Sequence, residues 1–83
     1  MTAKTDRLLG GLEYLVTNSS DRHKTENLAQ KAIEGAWPLS AEEFALVDKA
    51  LTERLDKTTG DERVLWGRVR AILADVRNAH SPP

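Results

Sequence analysis

The apolar residues of this chain recur at spacings of three and four, the period of a helix that buries one side. The clearest example lies near the carboxyl end, where Leu65, Val69, Ile72 and Val76 are four, three and four residues apart. Three turn-forming sequences, TNSSD, AWPLS and TTGDE, divide the chain into four helical segments. We therefore predict an all-α fold, a small bundle of four helices with antiparallel neighbours, because the connections are short.

Capping residues set the predicted helix boundaries. Ser40 and Glu43 form an S-x-x-E capping box, which places the start of the third helix. Ser20 is the predicted cap of the second helix, which should end at Gly35. The fourth helix should follow the TTGDE turn and run to about Ala79.

The first predicted helix, residues 5–16, contains two adjacent glycines in the middle of its leucine stripe. Gly10 and Gly11 each destabilise a helix by about 1 kcal/mol relative to alanine. Two alternatives stay open at this point. Either the first helix forms along its full length, or it forms poorly and the bundle has three helices.

The length of the chain, 83 residues, allows one core and is too short for two. We expect a single helical domain over residues 1–83, with residues 1–4 and 80–83 as flexible ends. Cysteine is absent, which fits a reducing, cytoplasmic location. Residues 1–20 lack the apolar run of a signal peptide, and no stretch approaches the ~20 apolar residues of a membrane span. No membrane association is expected.

The side chains that catalysis and metal binding require are sparse. His23 and His80 are the two histidines, one in a polar segment and one in the tail. Neither has a second histidine three or four residues away, as a zinc site would need. Glycine-rich phosphate loops are also missing from the sequence. We predict that the protein is not an enzyme, with no catalytic residues, no metal site and no cofactor.

The stretch RVLWGRVRAILADVR, residues 63–77, carries four arginines against one aspartate, although the net charge of the chain is −1. Arg63, Arg70 and Arg77 are seven residues apart and therefore share one side of the predicted helix. Gly67 and an alanine lie between them in space. A surface glycine lowers helix stability, so its presence there favours close approach by another molecule.

Trp66 lies beside this stripe, at the edge of the apolar face. Tryptophan and arginine are enriched among the residues that dominate binding energy at protein interfaces. One interpretation gives Trp66 the role of an interface anchor; the other has it filling the core, while the arginines pair with acids of the third helix or are solvated. The predicted partner-binding residues are Arg63, Trp66, Gly67, Arg70 and Arg77.

These features predict a non-enzymatic protein–protein interaction module, such as a small inhibitor, adaptor or assembly factor, that binds an acidic partner through the last helix. A homodimer through the same helix is compatible with the pattern. The alternative is a nucleic-acid-binding transcriptional regulator of helix-turn-helix type, with its two helices within residues 28–51. Against it, Glu42, Glu43 and Asp48 would face the phosphates. An acidic protein is therefore the favoured partner.

Overall fold

The computed structural model of the protein describes residues 3–80, which form four α-helices packed against each other. The helices are α1 (Ala3–Thr17), α2 (Arg22–Ala36), α3 (Ala41–Lys57) and α4 (Gly60–His80). The predicted all-α bundle is confirmed. Because α1 is continuous through Gly10 and Gly11, the bundle has four helices rather than three.

Burial of the leucine stripe explains why α1 tolerates its glycines. Leu12 is completely buried, and Leu8, Leu9 and Val16 are at least nine-tenths buried. Burying one leucine side chain contributes roughly 1.5–3 kcal/mol, which exceeds the helix penalty of about 1 kcal/mol for one glycine. Tertiary packing therefore stabilises a helix that its local sequence disfavours.

Asp21, not Ser20, caps α2. The Asp21 Oδ1 atom accepts hydrogen bonds from the backbone N–H groups of His23 at 3.0 Å and Lys24 at 3.3 Å. Asp21 directly precedes the first helical residue, so its carboxylate reaches the second and third N–H groups of the helix. The helix ends one residue later than predicted, at Ala36.

The predicted capping box of α3 is present. The backbone N–H of Glu43 donates to Ser40 Oγ at 3.0 Å, and the backbone N–H of Ser40 donates to Glu43 Oε1 at 2.9 Å. Two backbone donors that the helix cannot satisfy internally are thereby bonded.

Replacing Ser40 by alanine removes half of this capping box. We expect the Ser40→Ala variant to lose about 1 kcal/mol of unfolding free energy, because one backbone donor of α3 loses its partner. Urea denaturation followed by circular dichroism measures this change. Ser20→Ala is the matched control and should change stability by less than about 0.5 kcal/mol. Equal losses in the two variants would contradict the assignment of the cap.

The four helices follow the order α1, α2, α4, α3 around the bundle. Helix α2 packs on α1 and α4, and α3 packs on α4 and less extensively on α1. Within residues 3–80, α2 and α3 make no contact with each other, although only residues 37–40 separate them. The α1–α2 pair and the α3–α4 pair therefore form opposite sides of the molecule.

Helix α4 contacts all three other helices and contributes the largest share of the core. Its buried residues cover an arc of about 120° at 100° per residue, wider than the narrow seam of a two-helix contact. The buried apolar residues of the whole core are Leu8, Leu9, Leu12, Val16, Ala29, Ile33, Val47, Leu51, Leu65, Trp66, Val69, Ile72, Leu73 and Val76. Among residues 3–80, no helix combines the length and apolar character needed to cross a membrane.

Two residues of the predicted flexible ends lie in helices and make tertiary contacts. The Nζ atom of Lys4, in α1, donates a hydrogen bond to the carbonyl oxygen of Pro38 at 2.7 Å. The ring of His80, at the end of α4, stacks on Trp37 with 5.6 Å between the ring centroids. Apart from Ala3, the rest of these predicted ends lies outside the described residues.

Candidate functional site

The predicted site residues lie on the last helix, and the structure separates them into two groups. Trp66 is only 2 % exposed and lies in the core, with the guanidinium carbon of Arg54 5.6 Å from the centre of its ring. Its burial leaves almost no indole surface for a partner, which corrects the anchor role. The reason is the wide buried arc of α4, which includes the position of Trp66, about 90° from the centre of the apolar stripe.

The other four predicted residues share the outer side of α4, as their spacing predicts. Arg63, Arg70 and Arg77 are exposed, and Gly67 is half-buried. We call this side, with Ala74 between the last two arginines, the arginine face.

Each arginine of this face has different surroundings. Arg63 forms no ion pair or hydrogen bond within the part of the chain that the structure describes. The Nε atom of Arg70 donates to Asp48 Oδ1 on α3 at 3.0 Å. The guanidinium carbon of Arg77 lies 4.5 Å from the centroid of the Phe44 ring, a cation–π distance. Helix α3 therefore orients two of the three cations.

The Arg70–Asp48 pair is a surface interaction. The side chains are 45 % and 35 % exposed, respectively. The hydrogen bond to Asp48 raises the pKa of Arg70 above its ordinary value; the negative charge of Asp48 acts in the same direction, as does that of Asp56. Such exposed pairs contribute little to folding stability, because water and salt screen them. The pair orients the guanidinium more than it stabilises the fold.

An open trough of about 360 Å³ runs beside the arginine face, between α3 and α4. Its floor consists of small side chains on α4, and a methyl group added at Gly67 would lie 3.8 Å from Leu55 Cδ1, an ordinary contact distance. The fold therefore does not require glycine at this position. The trough is lined by Asp48, Leu55, Gly67, Arg70, Ala71 and Ala74.

Two arginines that the sequence interpretation did not single out serve the fold. Arg68 Nε pairs with Glu26 Oε1 on α2 at 2.8 Å. Arg54 Nη2 lies 3.6 Å from Glu13 Oε2 on α1, and its buried Nε atom has no hydrogen-bond partner among the described residues. The sequence does indicate that Arg68 lies on another side of α4, because it is not in the seven-residue spacing of the other arginines. It does not indicate the partner, because Glu26 is 42 positions away.

One interpretation of the sequence had the arginines pairing with acids of the third helix, and Arg70 does so through Asp48, whereas Leu55 was not singled out. Asp48 and Leu55 are seven residues apart and so share one side of α3, just as Arg63, Arg70 and Arg77 share one side of α4. That spacing was available in the sequence, but only the packing of α3 against α4 brings the two sides together.

The histidines and acidic side chains are the other residues that could bind a metal ion or act in catalysis. His23 is exposed in the first turn of α2, and its backbone N–H is one of the groups bonded by the Asp21 cap. Among residues 3–80, no three histidine, aspartate or glutamate side chains are grouped closely enough to hold a metal ion. Comparison with protein-family models, curated proteins and solved structures gives no match to this chain.

Proposed function

We propose that this protein is a non-enzymatic interaction module that binds an acidic protein partner through the arginine face. The observation that carries the proposal is the placement of exposed Arg63, Arg70 and Arg77 on one side of α4, where Arg70 and small residues line an open trough. Cations in this arrangement can pair with carboxylates, while the small residues let a partner backbone approach closely. We place this activity in the cytoplasm, consistent with a chain that lacks cysteine.

The ion pair within the chain is compatible with partner binding. A guanidinium carries five N–H donors, and the contact with Asp48 is made through Nε. Donors of Arg70 are therefore available to a partner carboxylate while the Asp48 contact holds the side chain in position. Preorganisation of this kind lowers the entropy lost when the side chain is fixed on binding.

The apolar contact area would come from the trough, because Trp66 is buried. Leu55, Ala71 and Ala74 line it together with Arg70, whose aliphatic stem adds apolar area. Such a surface is modest in size. It fits a regulated or transient partner better than an obligate one, whose interface is larger and more hydrophobic.

Two features support a protein over nucleic acid as the partner. In the helix-turn-helix alternative, the recognition helix would be α3, whose first turn carries Glu42 and Glu43. Moreover, α2 and α3 do not pack on each other within the described residues, whereas the two helices of that motif form one compact unit.

A homodimer through α4 receives less support from the same geometry. A symmetric dimer places the same patch of both subunits at the interface. It would bring two arginine faces together and oppose like charges. An acidic partner avoids this repulsion.

Charge reversal on the arginine face tests the proposal. A photo-crosslinking amino acid at Ala74, introduced in cells of the native source, identifies the partner as a covalent adduct, and isothermal titration with the purified partner then gives affinities. We expect Arg63→Glu and Arg70→Glu each to weaken binding at least tenfold, with unchanged circular dichroism, because each places a negative charge opposite the partner's carboxylates.

Arg68→Glu is the matched control, since it reverses a charge on the same helix but on the side facing Glu26. It should change affinity less than threefold. Equal losses for all three variants, or full affinity in Arg63→Glu, would overturn the proposal. Adducts with DNA and a steep loss of binding between 50 and 200 mM salt would establish the nucleic-acid alternative instead.

A further inference from the structure

A second groove lies on the opposite side of the molecule, between α1 and α2. It has a volume of about 510 Å³, and small residues of both helices form most of its floor. A side-chain carbon added at Gly11 or Gly35 would meet no atom within 4 Å, so the fold needs glycine at neither position. The apolar residues that line the groove are Ala3, Leu8, Gly11, Ala32, Gly35 and Ala36.

Exposed apolar side chains extend this groove toward the other end of the helices. Tyr14 is 68 % exposed and Leu28 is 39 % exposed. Both line a smaller hollow of about 180 Å³, which adjoins the groove because Tyr14 is one turn after Gly11 on α1 and Leu28 is one turn before Ala32 on α2. Large apolar side chains on the rim of a concave surface are typical of a binding site.

Three of the four charged residues that line the two parts of the groove are basic. Lys4 and Arg7 line the larger part and Lys24 lines the smaller part. Asp21 is the acidic residue among the lining residues of the two parts, and its carboxylate is engaged as the cap of α2. The groove is thus basic on a chain whose net charge is −1.

We propose that the α1–α2 groove binds an amphipathic helix with acidic flanks, supplied by a partner protein. The glycine floor admits a helix backbone, and Tyr14 and Leu28 contact its apolar side, as in other helix-in-groove complexes. Carboxylates on its flanks pair with Lys4 and Arg7. The concave shape of the groove fits a helix better than it fits a membrane, whose surface is flat.

This surface is independent of the arginine face. The two surfaces lie on opposite sides of the bundle, so two acidic segments can bind at the same time. The protein is then an adaptor that bridges two partners, rather than an inhibitor that covers one.

A display experiment with defined peptide libraries tests the groove. The probes are 18-residue peptides with leucine or alanine at positions i, i+3, i+4 and i+7, and with either acidic or basic flanks. We expect selection on the full chain to enrich acidic peptides over basic ones. In ¹⁵N-labelled protein, the best acidic peptide should shift the amide resonances of Gly11 and Gly35 and leave that of Gly67 in place.

Two neighbouring glycines provide a matched pair of variants. Gly11→Leu fills the groove and should weaken binding of the selected peptide at least tenfold without lowering the melting temperature of the protein. Gly10→Leu makes the same change one residue earlier, where the side chain does not line the groove, and should retain affinity within threefold.

Several results would overturn this assignment. These are equal enrichment of basic and acidic peptides, peptide-induced shifts at Gly67 instead of Gly11, and full affinity in Gly11→Leu. If sedimentation showed a dimer that Gly11→Leu dissociates, the occupant of the groove would be a second copy of this chain and not a partner helix.

Discussion

Replacing Trp66 by alanine should lower the free energy of unfolding by about 3–5 kcal/mol, as truncation of large buried aromatic residues does. The ring is 2 % exposed and belongs to the helix that contacts all the others, so its removal leaves a cavity at the centre of the bundle. A domain of this size has a total stability of roughly 4–12 kcal/mol. The variant is expected to be largely unfolded at 37 °C, as far-ultraviolet circular dichroism and urea denaturation would show.

Trp37→Ala is the control for this prediction. Trp37 is half-buried and packs against the edge of the core, so its loss should lower stability by roughly half as much or less. If Trp66→Ala changed stability by less than about 1 kcal/mol, the indole would not fill the core. Its role as an interface anchor would then be restored.

The second large effect is a gain in stability. The double variant Gly10→Ala/Gly11→Ala should raise the free energy of unfolding by about 1.6–2 kcal/mol, because each alanine favours the helix by about 0.8–1.0 kcal/mol. Both positions are exposed within α1, and an added methyl group would meet nothing within 4 Å. Urea denaturation and the melting temperature measure the gain.

Gly60→Ala makes the same chemical change with the opposite expected sign. Gly60 has φ +66°, in the left-handed region, where an alanine is disfavoured by about 1–2 kcal/mol. We expect this variant to be less stable than the parent by that amount. Destabilisation by Gly10→Ala/Gly11→Ala would show that α1 does not form in solution as described, and the groove beside it would then lose one wall.

The helices illustrate how far local sequence carries a prediction. Ser40 and Glu43 identified the start of α3 correctly, because both partners of the capping box lie within one turn. At the start of α2 the prediction of Ser20 as the cap is wrong, because the neighbouring Asp21 caps the helix. The glycines of α1 could not be assigned from the sequence, since propensity opposes the helix and only the burial of the leucines favours it.

The candidate site illustrates the opposite limit. The seven-residue spacing placed Arg63, Arg70 and Arg77 on one side of α4, and the structure has them there. The spacing did not indicate that Asp48 orients Arg70 or that Phe44 lies under Arg77. These contacts come from another helix, and 22 or more residues separate the partners in sequence.

From the sequence alone, three of the four helices, most helix ends and the common side of the three arginines could be predicted, because these depend on interactions within one or two helical turns. The tertiary structure decided that α2 and α3 lie apart, that Trp66 is buried, and that the trough beside the arginine face and the basic α1–α2 groove occupy opposite sides. Each of these depends on which helix surfaces meet across the core. Which surfaces meet depends on how apolar side chains from all four helices pack together, so it cannot be predicted from any single segment of the chain.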